Sequence, residues 1–404
     1  MRRAFGFRGG HTAQSAKLER RSSPFREKGS EEDSVLPLQP PVKPMLASPV
    51  DGISRQGGLL FEPKWDGFRC LVFADPQAEQ PVLLQSRTGR PLNRYFPEVL
   101  QTVTEHLDRP AVLDGELVVT RRDDAGDRLD WDALGERIHP AASRVRMLAE
   151  KTPATFIAFD LLTLDDRDLT SAPQTERREL LAGLGLDHGG LRTTPVTDDP
   201  ETAAEWFRVF EGAGLDGVIA KPTGGQYVPG KRTMFKIKHS RTADCVIAGL
   251  RWHAKTEPGT AVGSLQLGLH DDRGVLHHVG VVGAFPATQR RALATELAEL
   301  ITEGEHPWLG PDAEDGRRLP GSINRWSSSE QPWVPLRPER VVEVSYDHTE
   351  GAYPGRFRHT TQFVRWRPDR DPESCGYDQL EEPTRYDLEA VLYGDVNRGA
   401  RVDG

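Results

Sequence analysis

The sequence predicts an α+β domain of about 200 residues followed by a smaller all-β barrel, with an irregular segment at each end. Three observations carry this expectation. Strand-like and helix-like stretches alternate from about residue 40 to about 240, and short β-rich runs then take over. The change falls at the polar tripeptide His239-Ser240-Arg241. With 404 residues, the chain is long enough for two or three domains with a sizeable core.

In order, residues 1–37 are rich in Arg, Ser, Gly and Glu with little apolar periodicity, which predicts a disordered tail. Within 38–240, strands are expected at 68–73, 82–85, 111–120, 155–162 and 217–221, and helices at 143–151, 174–184 and 201–212. The second domain, 241–372, shows strand-like runs at 245–252, 264–270 and 275–282. The last two are joined by the hairpin signal Asp271-Asp272-Arg273-Gly274. A helix over 287–301, a Pro/Gly/Ser-rich loop over 305–335 and strands at 340–346 and 361–367 complete it. Five strands and one helix in so short a span suit an OB-type barrel, a nucleic-acid-binding fold. Residues 373–404 read as a C-terminal tail.

The net charge of −9 gives no hint of a polyanionic partner, but the local charge does. From Lys221 to Ala243 there are six Lys/Arg and no acid, and from Gly355 to Arg370 five Arg against one Asp. Such segregated basic stretches can track a phosphate backbone. Cys70, Cys245 and Cys375 lie far apart, which excludes a zinc knuckle or disulfide framework and fits a reducing compartment. With no apolar run of membrane-spanning length and no secretory signal, a cytoplasmic, nucleoid-associated location is expected.

The stretch most suggestive of chemistry is Glu62-Pro63-Lys64-Trp65-Asp66-Gly67-Phe68-Arg69, in which Pro63 and Gly67 bracket a turn carrying a lysine between two acids. Either a solvated charged loop or a lysine nucleophile fits it alone. Downstream, residues i and i+2 of a strand share a face. Asp114-Gly115-Glu116 thus pairs two carboxylates, Lys236-Ile237-Lys238 two ammonium groups, and Arg365-Trp366-Arg367 two guanidinium groups, with Arg370 adding a third. Each alone is more often a solvated strand face. Together they describe a pocket for a triphosphate, a divalent metal and a nucleophilic lysine.

From about Pro40 to Pro372 the chain resembles the ATP-dependent DNA ligases, with their motifs in order: the Lys64 stretch, Ser86-Arg87-Thr88-Gly89, Asp114-Gly115-Glu116-Leu117, Phe156-Ile157-Ala158-Phe159-Asp160, Asp216-Gly217-Val218-Ile219-Ala220-Lys221, Phe235-Lys236-Ile237-Lys238 and Arg365-Trp366-Arg367-Pro368-Asp369-Arg370. Arg137-Ile138-His139-Pro140 brings it closest to the small C-type ligases of mycobacteria and related actinobacteria. Two positions depart from the family pattern: Asp216 stands where Glu is usual, and Arg370 where Lys is usual.

The resemblance implies an α+β nucleotidyltransferase (ATP-grasp-like) domain followed by an OB-fold domain, sealing nicked double-stranded DNA through lysyl-AMP, with ATP as substrate and Mg2+ or Mn2+ as cofactor. By resemblance, Lys64 is the nucleophile, and Lys236 and Lys238 neutralise the α-phosphate and, with the metal, favour a free amine. Glu116 and Asp216 bind ribose and metal. Glu62 reads adenine N6 and Phe159 stacks on the base, with simple core packing the alternative for Phe159 and a turn cap the alternative role for Asp66. Arg69 holds the ribose, Arg87 and Arg232 the 5′-phosphate of the nick, and Arg367 and Arg370 the β- and γ-phosphates. A monomer is expected, with a repair polymerase as a partner. The rivals are an RNA ligase, a GTP-using guanylyltransferase and a non-catalytic nick-binding module. An NAD-dependent ligase would need a further N-terminal domain and usually a four-cysteine zinc site.

Overall fold

The computed structural model describes residues 36–123, 126–309, 317–320, 332–351, 353–380 and 386–394. The expected N-terminal tail lies outside them, apart from its last residues. The first domain contains β1 (Leu46–Pro49), β2 (Leu59–Pro63), β3 (Phe68–Ala74), β4 (Val82–Ser86), α1 (Pro97–His106), β5 (Ala111–Asp123), β6 (Gly126–Leu129), α2 (Trp131–Glu136) and α3 (Ala142–Lys151). It continues through β7 (Ala154–Leu164), β8 (Arg167–Asp168), α4 (Gln174–Gly183), β9 (Leu191–Thr193), α5 (Pro200–Val209), β10 (Val218–Pro222) and β11 (Arg232–Ile237).

These strands make two sheets, one in the order β1-β11-β10-β2 and one in the order β4-β3-β5-β7-β8, to which β6 and β9 add. The larger sheet is covered on both faces, which explains why β3 is apolar at every position from Cys70 to Ala74. Leu71 and Phe73 pack with Met45, Tyr227 and Met234 toward the smaller sheet. Cys70, Val72 and Ala74 pack with Val99 and Val103 of α1 and Leu181 of α4. The far face of the smaller sheet, Val218 and Ala220, is covered by Ala203 and Trp206 of α5. That helix starts where the sequence directs it, with Asp199 accepting from Glu201 and Thr202 amides and Pro200 in its first turn.

The second domain comprises β12 (Arg241–Trp252), β13 (Val262–His270), β14 (Leu276–Val282), α6 (Ala287–Glu296), β15 (Val334–Tyr346), β16 (Thr349–Glu350), β17 (Arg356–Phe357) and β18 (Gln362–Trp366). Its five-stranded sheet runs β14-β13-β12-β15-β18. Thr361, just before β18, closes it into a barrel by bonding back to Val281 at 2.9 Å. Strand order, closure and a helix between the third and fourth barrel strands make this the expected OB fold.

Three boundaries differ from the sequence reading. Leu36 is already buried in the first domain's core, so the fold begins before residue 38. Within the loop expected at 305–335, His306 and Trp308 are buried, with the Trp308 indole donating to the Leu276 carbonyl at 2.9 Å; residues 310–316 and 321–331 lie outside the described residues. The stretch expected to trail as a tail doubles back. Cys375 and Tyr377 join the barrel core, and Gln379 exchanges two hydrogen bonds with the backbone of Asp244. A short helix, α7 (Leu388–Leu392), then packs Leu388, Ala390 and Val391 onto Trp206 and Phe210 of the first domain. A five-residue helix is too short to show helical periodicity in sequence.

Candidate active site

The lysine-bearing turn is held by the backbone on both sides. The amide of Lys64 donates to the Gly217 carbonyl at 2.8 Å, and the amide of Asp216 donates to the Lys64 carbonyl at 3.0 Å, extending the β2–β10 ladder by one residue. Gly217 sits at φ +127, and a Cβ there would lie 2.0 Å from the Ile237 carbonyl oxygen, so only glycine fits. Gly67 is required for the same reason: its Cβ would meet the Leu117 carbonyl at 2.1 Å. Trp65 turns inward, its indole N–H donating to Thr194 at 2.8 Å, and Lys64 is thereby aimed into a cavity.

That cavity, about 310 Å³, opens between the two sheets. The smaller sheet presents Ile219 and Lys221 from one face of β10, Met234 and Lys236 from β11, and Glu62 from β2, with Lys238 just beyond. The larger sheet presents Arg69, Glu116 and Phe159. Arg69 and Glu116 are direct cross-strand partners, whereas Phe159 is an extra residue: Asp114 pairs with Asp160 and Gly115 with Ala158, leaving Phe159 bulged out between them. The bulge turns its ring to the cavity, where the Arg69 guanidinium lies 4.6 Å from the ring centre. On the opposite, core-facing side of the sheet, glycine is required at 115, since a Cβ there would strike the buried Phe156 ring at 2.4 Å.

The cavity's charges are strongly coupled. Lys64 and Lys238 both pair with Oδ2 of Asp216, Lys238 at 2.8 Å, while His348 Nε2 lies 2.8 Å from Oδ1. Burial would raise the Asp216 carboxyl, but the His348 hydrogen bond and the Lys64 and Lys238 charges outweigh it and hold it well below the usual carboxylate range. Lys236 is pushed down, first by burial and then by the neighbouring Lys238 and Lys64 charges. For Lys238, burial is outweighed by Asp216, and its ammonium form is favoured. Glu116 has no hydrogen bond or ion pair among the described residues. Burial pushes its carboxyl up to about 8, although the Arg69 and Lys64 charges pull the other way. At the back, Glu62 is 2% exposed and pairs with Lys221 at 2.9 Å. Burial raises its carboxyl despite Lys221.

The structure therefore brings together Glu62, Lys64, Arg69, Glu116, Phe159, Lys236 and Lys238, with Arg87 and Arg232 on the same lining. Arg69 is committed to Asp114 through two hydrogen bonds of 2.6 Å, and Arg232 to the Ala47 carbonyl at 2.6 Å. Arg87 is exposed and has no ion pair among the described residues. Arg367 and Arg370 are not brought to the cavity: Arg367 pairs with Asp244 at 2.8 Å and Asp369 at 2.9 Å, and Arg370 lies 3.7 Å from Asp244. Asp66 does not cap its own turn but accepts from Arg358 of the second domain.

Four participants escaped the sequence reading: Lys221 as a buried partner of Glu62, and Asp347, His348 and Arg358 from the second domain. Lys221 was legible, because it follows Ile219 at the two-residue strand period. The other three lie more than 100 residues from the groups they touch and leave no local signal.

Residues 44–238 match the family described as the ATP dependent DNA ligase domain, and residues 258–370 the ATP dependent DNA ligase C terminal region. The chain is 52% identical over 368 residues to DNA ligase C of Mycobacterium tuberculosis, covering 89% of this chain and 99% of that protein. This chain belongs to the ATP-dependent DNA ligase family. To DNA ligase C2 of Mycolicibacterium smegmatis it is 53% identical over 356 residues, covering 86% of this chain and 96% of that ligase. The solved structure Pmar-Lig_PreS3 superimposes with a TM-score of 0.54 at 17% identity, covering 80% of this chain and 68% of that one, and shares the ligase fold. The expected kinship with mycobacterial C-type ligases is thus met.

Proposed function

We propose that this family member seals nicks in duplex DNA in repair, carrying AMP on Lys64. The observation that bears most weight is Lys64 itself, its side chain 20% exposed in a nucleotide-sized cavity and flanked by Lys236 and Lys238. In the first step Lys64, once its Nζ has given up a proton to solvent, bonds as the free amine to the α-phosphorus of ATP and pyrophosphate leaves. An oxygen of the nick's 5′-phosphate then attacks the same phosphorus, breaking the P–N bond. Finally the 3′-hydroxyl attacks the 5′-phosphorus and AMP departs. Lys236 and Lys238 neutralise the α-phosphate throughout, Phe159 packs on the adenine, Arg69 faces the ribose, and the exposed Arg87, with Arg232, receives the 5′-phosphate.

A hard divalent cation, Mg2+ or Mn2+, fits Glu116, whose half-buried carboxylate has no hydrogen-bond or ion-pair partner among the described residues and is destabilised by burial. Bound there, it would offset charge on the phosphates. Asp216 suits that role less in this arrangement, since Lys64, Lys238 and His348 already occupy both its oxygens. Incubation with α-labelled ATP, GTP or NAD+, followed by a chase with nicked duplexes bearing DNA or RNA ends, tests the reading. Label should come from ATP, sit on Lys64 and pass to DNA ends. A GTP adduct or a preference for RNA ends would overturn it.

A further inference from the structure

We infer that His348, carried by the OB domain, is a positioning residue for the DNA-dependent steps, holding Asp216 against Lys64 while that domain is docked as seen here. The inference rests on the reading of Lys64 as the AMP carrier. Asp347 and His348 form the turn between β15 and β16. His348 Nε2 meets Asp216 Oδ1 at 2.8 Å, which leaves Oδ2 to face Lys64 and Lys238. Asp347 takes Lys238 at 3.0 Å, so one dipeptide of the second domain touches both the acid and a cation beside the nucleophile. The other ring nitrogen of His348 lies 3.6 Å from Glu211, a buried acid clamped by Arg241 at 2.5 and 2.7 Å. Arg241 opens β12, immediately after the link between the domains. His348 therefore stands between the acid that fixes that link and the acid that faces the nucleophile.

A carboxylate held through one oxygen can still swing about its side-chain bond; a second hydrogen bond on the other oxygen fixes its plane. That role belongs to a particular stage of the cycle. The β- and γ-phosphates exist only before pyrophosphate leaves, and here Arg367 and Arg370 are turned to Asp244, away from where those phosphates would lie. The docked arrangement accordingly serves the steps that follow, when AMP moves from Lys64 to DNA.

Single-turnover rates on the full chain separate these stages. His348→Ala should form lysyl-AMP within about twofold of the wild-type rate, yet transfer AMP from preloaded enzyme to a nick at least roughly tenfold more slowly, the effect of losing one charge-assisted hydrogen bond. His348→Gln, whose amide N–H can reach Oδ1, should recover most of that loss, and nick affinity should be unchanged in both variants. The inference is overturned if the Ala variant transfers AMP at the wild-type rate, if both steps slow equally, or if Gln rescues nothing. A wild-type chain that forms no lysyl-AMP would refute the nucleophile reading itself and this inference with it.

Discussion

Replacing Lys221 by Met removes three donors from the back of the cavity while keeping most of the side chain's volume. Lys221 Nζ lies 2.9 Å from Glu62, 2.7 Å from the Phe159 carbonyl and 3.7 Å from Asp160, and the Lys221 and Glu62 side chains are each only 3% exposed. Asp160 keeps Arg177 at 2.7 Å, so the charge left without a paired cation is Glu62. Breaking a buried pair from one side costs about 3–5 kcal/mol when the remaining group stays charged. Glu62 can escape part of this by taking a proton, because burial already raises its carboxyl against the pull of Lys221. For a carboxyl so raised, the penalty vanishes at low pH, where folded and unfolded chains are both protonated, and grows as pH rises. Urea unfolding of Lys221→Met should therefore show a deficit that is larger near about pH 8 than near about pH 5. A protonated Glu62 also gains an O–H donor, which guanine O6 can accept, so the preference for ATP over GTP in forming the lysyl adduct should narrow. Equal stability of variant and wild type at both pH values, or an unchanged ATP-to-GTP ratio, would refute the reasoning.

Arg367→Ala or Arg370→Ala should slow lysyl-AMP formation by about ten- to a hundredfold and leave closure of a pre-adenylated nick nearly intact, as stopped-time labelling of the two steps would show. Glu116→Gln should stabilise the metal-free protein by roughly 1–2 kcal/mol at neutral pH, half-burial trimming the effect. That gain should be absent below the ordinary carboxylate range and grow until pH reaches about 8, with the stabilisation by Mg2+ lost; melting curves with and without the ion check this. Binding to nicked duplex should weaken with salt through exposed cations such as Arg87 and Lys231, because the other cations of 221–243 and 355–370 line the cavity or are already paired, Lys221 with Glu62, Arg241 with Glu211, Arg358 with Asp66 and Arg367 with Asp244; equilibrium titration at two ionic strengths measures the slope.

The two-domain order was legible because β3, β5, β7 and β12–β15 are long runs of strand-forming residues, and because hairpin residues 271–274 separate two of them. Helix α1 was not, since Val99, Thr102, Val103 and Thr104 favour a strand locally and only Pro97 at its start signals a helix. In the site, the i, i+2 rule placed Lys236 and Lys238 at the cavity and Ile237 in the core, where it is 3% exposed. The same rule put Asp114 and Glu116 on one face; Asp114 proved to be a wholly buried anchor for Arg69 and Tyr227. What sequence could not supply is contact across domains. The pairing of Asp66 with Arg358 and of Asp216 with His348 depends on how the barrel docks, and the packing of α7 on Trp206 depends on a chain reversal that no local pattern encodes.

The central claim is that Lys64 carries AMP, and Lys64→Ala incubated with α-labelled ATP tests it most directly. The variant should form no covalent adduct, yet should still close, slowly, a nick that already bears AMP on its 5′-phosphate, because that last step needs no lysine nucleophile. A labelled adduct on the Ala variant would contradict the account.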